Sequence, residues 1–334
     1  MLDRTVKFCS DAPMRTRLTD VLEVDHPVML AGMGGVSYHE VVAAVSAAGG
    51  FGCLGASTMG TERMVEEMEA VKALTAAPFG VDLLTAAPGD MLVAVQELID
   101  HGARVFVAGL GVPRDAIELC HRHNVLVMNM CGKVRHAVAA VEAGCDIVVA
   151  QGTEAGGHTG LVATMALVPQ IVDAVGDRVP VVAAGGIVDG RGLAAALSLG
   201  ADGIWVGTRF IATPEAMAVI GYKDALLRLG EDGTTISRGY TGKTCRVVAN
   251  DYTRYWEQHA DELQPFPMQF LRSMEDGANH LGRGPDEPAV DPSKEFYPAG
   301  QGVGAITELV PAGELVRRFV AEAEEVIDRV AALR

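Results

Sequence analysis

The chain has 334 residues and a formal net charge of −16, from 27 Lys plus Arg against 43 Asp plus Glu. Such a surface repels phosphate backbones, so nucleic acid is excluded as an expected partner and the acidity reads as solubility. Apolar residues make up 49% and aromatics 5%, so a sizeable core must come mostly from Ala, Val, Leu and Ile, which suits helix–sheet packing rather than an aromatic-rich sandwich.

The opening stretch "MLDRTVKFCSDAP" is charged and lacks the apolar run of a signal peptide. Val41 to Gly60 is uncharged, but "SAAGGFGCLGAS" is too Gly-rich and interrupted for a membrane span and reads as helix, turn and strand. A cytoplasmic protein with no membrane partner is expected. The six cysteines, at 9, 53, 120, 131, 145 and 245, form no CxxC pair and read as reduced, mostly buried thiols. "CHRH" (Cys120 to His123) has no zinc-type spacing, and His121 and His123, two apart on a helix, face different sides, so no metal is expected.

Short apolar runs recur along the chain, each followed by a turn signal and a helix-period segment. The predicted strands are "PVMLAG" (27–32), "GFGCLGA" (50–56), "FGVDLL" (79–84), "RVFVAG" (104–109), "VLVMNM" (125–130), "DIVVAQ" (146–151), "PVVAAGG" (180–186) and "GIWVGT" (203–208). Helical stretches such as "HEVVAAVSAAG", "ERMVEEMEAVKAL" and "GRGLAAALSLG" separate them, several ending in Gly as helix C-termini often do. Continuous Val/Ile/Ala-rich strands alternating with helices indicate a parallel sheet covered on both faces. Eight strands at about 25-residue spacing predict an α/β fold of the (β/α)8 TIM-barrel class. A doubly wound open sheet is the alternative, because the count does not establish closure.

After Phe210 the rhythm breaks. Residues 212–305 read as a mostly helical insertion with Pro/Gly-rich loops near the active face, and "AGELVRRFVAEAEEVIDRVAAL" reads as an amphipathic closing helix. The expected organisation is therefore a barrel over 20–211, closed by 306–334, with an insertion over 212–305.

In such a barrel the loops after the strands form the active face, and the last two commonly hold a phosphate. Here they begin "AAGGIVDGRG" and "WVGTRF", so Gly185, Gly186, Gly207 and Thr208 fall where backbone amides and a hydroxyl can hold one. Tight βα turns would also explain these glycines. A dinucleotide fingerprint fits poorly: "GMGGVS" (Gly32 to Ser37) is followed by no acidic residue at the end of the second strand, and no convincing strand precedes "GQGVGA" (Gly300 to Ala305). A mononucleotide such as FMN suits the pattern better. "QGTEAGGHTG" (Gln151 to Gly160) follows the sixth strand and puts His158 at the same mouth, a candidate proton-transfer residue, with Glu154 expected to anchor loop backbone.

These segments, together with "HPVMLAGMGGVS", "PFGVDLL", "YPAGQGVGAI" and an echo in "SRGYTGKTCRVVAN", resemble the nitronate monooxygenases, formerly called 2-nitropropane dioxygenases. Those FMN-dependent barrels are related to flavin-dependent enoyl-thioester reductases and NADH:quinone reductases. The resemblance implies that Gly32, Met33 and Gly34 meet the flavin ring, that Gln151 and Gly156 contact the flavin, and that Gly185, Gly186, Gly207 and Thr208 serve its phosphate side. It implies that His158 is the catalytic base. One departure is Asp82, where the family usually has Asn: a carboxylate near the flavin pyrimidine cannot donate like an amide unless protonated, and it would disfavour an anionic reduced flavin.

The activity this implies is oxidation of nitronates or nitroalkanes with O2 to a carbonyl compound and nitrite. The alternative is an FMN-dependent enoyl-CoA or enoyl-thioester reductase or dehydrogenase, or an NAD(P)H:quinone reductase, since fold and motif do not fix the reaction. A non-catalytic flavin-binding protein is a third class, against which the mouth histidine argues.

Overall fold

The computed structural model describes residues 13–84, 91–109, 111, 113–283 and 290–333. The charged opening stretch with Cys9, and positions 284–289 of the Pro/Gly-rich stretch, lie outside the described residues. All eight predicted strands are present: β1 (Val28–Leu30), β2 (Gly52–Gly55), β3 (Phe79–Leu84), β4 (Val105–Gly109), β5 (Leu126–Cys131), β6 (Ile147–Gln151), then β8 (Val181–Ala184) and β9 (Gly203–Val206), with the short strand β7 (Gly157–His158) between the last two and β6. The eight pair in parallel in the order β1-β9-β8-β6-β5-β4-β3-β2. The two ends of that order meet: Met29 bridges Phe51, Phe51 N–H donates to Val28 O and Leu30 N–H donates to Phe51 O, each at 2.9 Å. The sheet is therefore a (β/α)8 barrel, and the open-sheet alternative falls.

Period-two alternation divides each strand between two cores. Met29, Phe51, Val105, Val107, Met128, Ile147, Val149, Val182 and Trp205 fill the barrel interior. Their neighbours Val28, Phe106, Val127, Val148, Val181 and Ile204 face the surrounding helices. Burying each such side chain contributes about 1.5–3 kcal/mol. Helix α1 (Arg17–Leu22) adds Leu18 and Leu22 to the interior cluster, and its cap residue Thr16 donates to Asp202 O at 2.7 Å, so it plugs the N-terminal end of the barrel.

Helices α2 (His39–Ala47), α3 (Thr61–Leu74), α4 (Met91–Asp100), α5 (Arg114–Arg122), α6 (Val134–Ala143), α7 (Thr164–Val175) and α8 (Gly190–Ser198) lie between the strands. After β9 come the short α9 (Thr208–Ile211) and the insertion, which carries α10 (Tyr222–Arg228), α11 (Asp251–Gln258) and α12 (Met268–Glu275). It also carries two strands with no clear sequence signal, β10 (Thr234–Ser237) and β11 (Cys245–Val248). These make a three-stranded antiparallel sheet in the order β10-β11-β7, so the insertion pairs with the histidine loop. Its own core is aromatic, with Tyr240 stacked on Phe296 and packed beside Tyr252 and Trp256.

The last helix, α13 (Ala312–Ala331), buries Val316, Phe319, Val320 and Ala323 against its own barrel. Its contact with α8 is backbone to backbone. A Cβ on Gly190 would sit 2.5 Å from Ala323 N and 2.6 Å from Phe319 O, while Gly190 N–H donates to Glu322 at 2.9 Å. We expect Gly190→Ala to force the two helices apart and cost about 1–3 kcal/mol. Urea denaturation checks this, and an unchanged midpoint would contradict the close approach.

Candidate active site

A cavity of about 1280 Å3 opens at the C-terminal ends of the barrel strands. Every barrel strand reaches it, through Gly32 after β1, Ser57 and Thr58 after β2, Asp82, Gly109, Asn129, Gln151, Gly185 after β8 and Gly207 after β9. Each residue singled out from the sequence (Gly32, Met33, Gly34, Asp82, Gln151, Gly156, His158, Gly185, Gly186, Gly207 and Thr208) lines this one cavity.

The loops after β6 and β8 are tied together beneath it. The Glu154 carboxylate accepts from Thr164 N–H at 2.9 Å and from the Thr164 hydroxyl at 2.9 Å, fastening the histidine loop to the start of α7. Thr164 Oγ1 also lies 3.1 Å from Gly185 O. Gly185 and Gly186 have φ of +108° and +74°, a region that side chains disfavour, so the turn after β8 needs glycine. Thr208 Oγ1 accepts from Gly300 N–H at 2.8 Å, leaving its own proton available to the cavity. "GQGVGA" thus packs on 154–156 and Thr208 as a wall of the site, with Gln301 N–H donating to Glu154 O at 2.8 Å.

His158 is positioned by its backbone and by its ring. Gln151 Nε2 donates to His158 O at 2.7 Å, His158 pairs with Cys245 across β7–β11, and Thr159 N–H donates to Thr244 O at 3.3 Å. The ring's Nε2 lies 3.0 Å from Thr241 Oγ1. Burial first, and the positive charge of Lys243 second, push the imidazole down to about 4, so it is neutral at pH 7. Lys243 itself lies over the Phe266 ring, 4.7 Å from its centroid.

Asp82 faces the cavity against Gly32, where a Cβ would come within 2.9 Å of Oδ2. No described residue donates a hydrogen bond to it, and burial pushes its carboxyl up to about 8. At neutral pH it is therefore mostly protonated and able to donate, the condition under which a carboxyl can stand in for an amide.

Several lining residues carry no functional signal in the sequence. Thr241 and Lys243 sit in the "SRGYTGKTCRVVAN" segment, and Phe266, Phe270 and Leu271 form an apolar wall from the insertion. The segment echoes the family without marking either of the first two, and the β7–β11 pairing that brings them in is visible only in three dimensions. Elsewhere, His121 lies 3.0 Å from Asp146 and the adjacent Cys120 is buried, so "CHRH" is divided between surface and core. Among the described residues, no group of three or more His, Cys, Asp or Glu could hold a metal, and no helix is long and apolar enough to cross a membrane.

A family model described as nitronate monooxygenase matches residues 15–94 and 90–322. A Staphylococcus saprophyticus protein described as a probable nitronate monooxygenase is 33% identical over 77% of this chain and 84% of its own length. A Mycobacterium tuberculosis protein, (3aS,4S,5R,7aS)-5-hydroxy-7a-methyl-1-oxo-octahydro-1H-indene-4-carboxyl-CoA dehydrogenase, is 38% identical over 71% of this chain and 67% of its own. The solved structure of nitroalkane oxidase from Streptomyces ansochromogenes is similar with a TM-score of 0.80 and 30% identity, covering 94% of this chain and 99% of that one.

Asp82 gives the site a pH signature. Its carboxyl is held above the ordinary value of 3.8, so its contribution to stability is present below about 4 and lost as pH rises through about 8. Burial of His158 acts the other way below about pH 6.5, so the expectation is differential: between pH 5 and pH 8.5 the ligand-free protein should lose several degrees more thermal stability than Asp82→Asn. Thermal melts at both pH values check this; parallel losses would show that the carboxyl is not desolvated.

Proposed function

The chain belongs to the nitronate monooxygenase family and is an oxidoreductase; from that premise we propose that it is an FMN-dependent nitronate monooxygenase, converting nitronates or nitroalkanes and O2 to a carbonyl compound and nitrite. The observation that carries this reading is a neutral histidine held at the wall of a cavity whose neighbouring strands, β8 and β9, end in glycine turns. The cavity fits the cofactor: it exceeds the roughly 300–1,000 Å3 of an ordinary ligand pocket and so has room for a flavin and a small substrate. Gly185, Gly186, Gly207 and Thr208 would hold the phosphate, and Gly32, Met33, Gly34, Gln151 and Gly156 would flank the ring. Asp82, protonated, would donate to an acceptor edge of it. FMN, when bound, supplies the redox chemistry that no side chain offers.

The protein's own residues account for the proton step. A neutral nitroalkane carries an acidic C–H, and a neutral imidazole accepts that proton where an imidazolium would not. Removing the proton leaves a nitronate anion, and the positive charge of Lys243 at the same wall favours it in a desolvated site. Phe266, Phe270 and Leu271 would give that side of the cavity an apolar lining.

A second reading, an FMN-dependent reductase or dehydrogenase acting on an enoyl or acyl thioester, is favoured by the cavity's volume, by that apolar wall, and by the relationship to a carboxyl-CoA dehydrogenase. His158 would then give a proton to carbon rather than take one. Anaerobic mixing separates the two: flavin bleaching by nitronate and not by NAD(P)H supports the monooxygenase, and rapid bleaching by NAD(P)H or an acyl-CoA thioester supports the other. Within the first reading, we expect His158→Asn to keep FMN bound while losing about 100-fold or more in turnover of neutral nitroalkanes, the range of general-base catalysis, and far less on preformed nitronates. Wild-type turnover of nitroalkanes by that variant would remove the base assignment.

A further inference from the structure

The ring of His158 touches one described side chain through Nε2, the hydroxyl of Thr241 at 3.0 Å. That hydroxyl has a single proton and three polar neighbours. Lys243 N–H, 3.2 Å away, is a donor and takes one of the oxygen's lone pairs. Lys243 O, also at 3.2 Å, is an acceptor only, and no other hydrogen bond to it is present among the described residues. If the hydroxyl proton serves Lys243 O, the third neighbour, Nε2, must be the one that donates. Every group in the turn is then satisfied: carbonyl by hydroxyl, hydroxyl oxygen by amide and imidazole N–H. If instead the hydroxyl donated to Nε2, the carbonyl would be left without a partner among the described residues. Hydrogen-bond bookkeeping of this kind is what assigns a histidine tautomer.

The turn is rigid enough to impose that choice. Thr241 is 2% exposed, and Gly242, at φ +80°, is pressed against Gln264 O and Phe266 N of the following segment. The histidine is held from its own side by Gln151 and by the pairing with Cys245. These contacts hold the backbone on both sides, so the ring and the hydroxyl meet from fixed positions. No described residue bonds to Nδ1.

We propose that Thr241 is the positioning residue of His158: its hydroxyl holds Nε2–H, so the neutral ring presents Nδ1 to the cavity as its proton-accepting atom. This rests on His158 being the proton-transfer group. Thr241 does not touch the substrate; it sets which nitrogen carries the lone pair and where that lone pair points. The insertion thereby supplies part of the base's function from more than 80 residues along the chain.

Two measurements test this on the full-length FMN-bound protein. Side-chain nitrogen NMR of the histidines, with His158 assigned from the signal missing in His158→Asn, reads the tautomer directly and does not depend on any substrate. A predominantly Nε2-protonated ring supports the proposal; a predominantly Nδ1-protonated or an evenly mixed ring overturns it. Kinetics of Thr241→Val and Thr241→Ser with a neutral nitroalkane and its preformed nitronate give the second measurement. Loss of the hydroxyl in Thr241→Val should lower kcat on the nitroalkane by about tenfold, a fraction of a general base's full effect, with KM little changed and a smaller loss on the nitronate. Thr241→Ser, which keeps the hydroxyl, should recover most of that loss. Equal losses on both substrates, or no rescue by serine, overturn the positioning role. Should His158→Asn retain full nitroalkane turnover, the functional reading fails by itself, and the NMR still decides the tautomer.

Discussion

Antiparallel pairing of Gly157–His158 with Cys245–Arg246 joins the loop after β6 to the insertion, and the placement of His158 at the cavity wall depends on that join. A loop with glycines at 156 and 157 pays the most backbone entropy on ordering, about 1–2 kcal/mol per residue. The pairing offsets this with several bonds at once. Arg246 Nε donates to Thr153 O at 2.9 Å, the Thr244 hydroxyl donates to Thr159 O at 3.0 Å, and Gln151 holds the carbonyl of His158 from the barrel side. Held on both sides, the loop keeps the imidazole at the cavity wall, and its glycines allow the close approach of 156 to Ala299 and Gly300.

The same burial moves two titratable groups in opposite directions. Removing water disfavours whichever form is charged, so the His158 ring falls to about 4 and the Asp82 carboxyl rises to about 8. Both are then predominantly neutral near pH 7, one as an acceptor and one as a donor. Lys243 brings a positive charge to this otherwise desolvated wall, where a charge acts more strongly on a developing anion than it would in water. Asp82 looks disruptive in the sequence, where the resemblance leads to an amide being expected, because the side chain alone suggests a carboxylate. The pocket removes most of that difference by keeping the proton on.

Much of the barrel was legible in the linear pattern. All eight parallel strands and the closing helix follow from periodicities that local sterics impose, whereas the sorting of Val105 and Val107 inward from Phe106 outward does not, because a run apolar throughout carries no alternating signal. The candidate site was legible because a (β/α)8 barrel places its strand ends on one face, so glycines after β8 and β9 and a histidine after β6 had to converge. The insertion was less legible. β10 and β11 are short strands whose stability comes from pairing with each other and with β7 rather than from their own propensity, and their polar residues Thr234, Thr235 and Arg246 gave no alternating signal. Thr241 and Lys243 were hidden for the same reason.

Sequence by itself determined the β/α alternation, the end of the sheet that carries the candidate site and the residues from the barrel that line its cavity, because these depend on short-range periodicity and on a topology that gathers the strand ends on one face. Tertiary structure decided that the sheet closes, through hydrogen bonds between Val28, Leu30 and Phe51. It also decided the protonation of Asp82 and His158, which depends on how much water surrounds them, and the partner of the histidine ring, which comes from a segment far along the chain. Desolvation and long-range pairing are sums over neighbours that no local stretch of residues specifies.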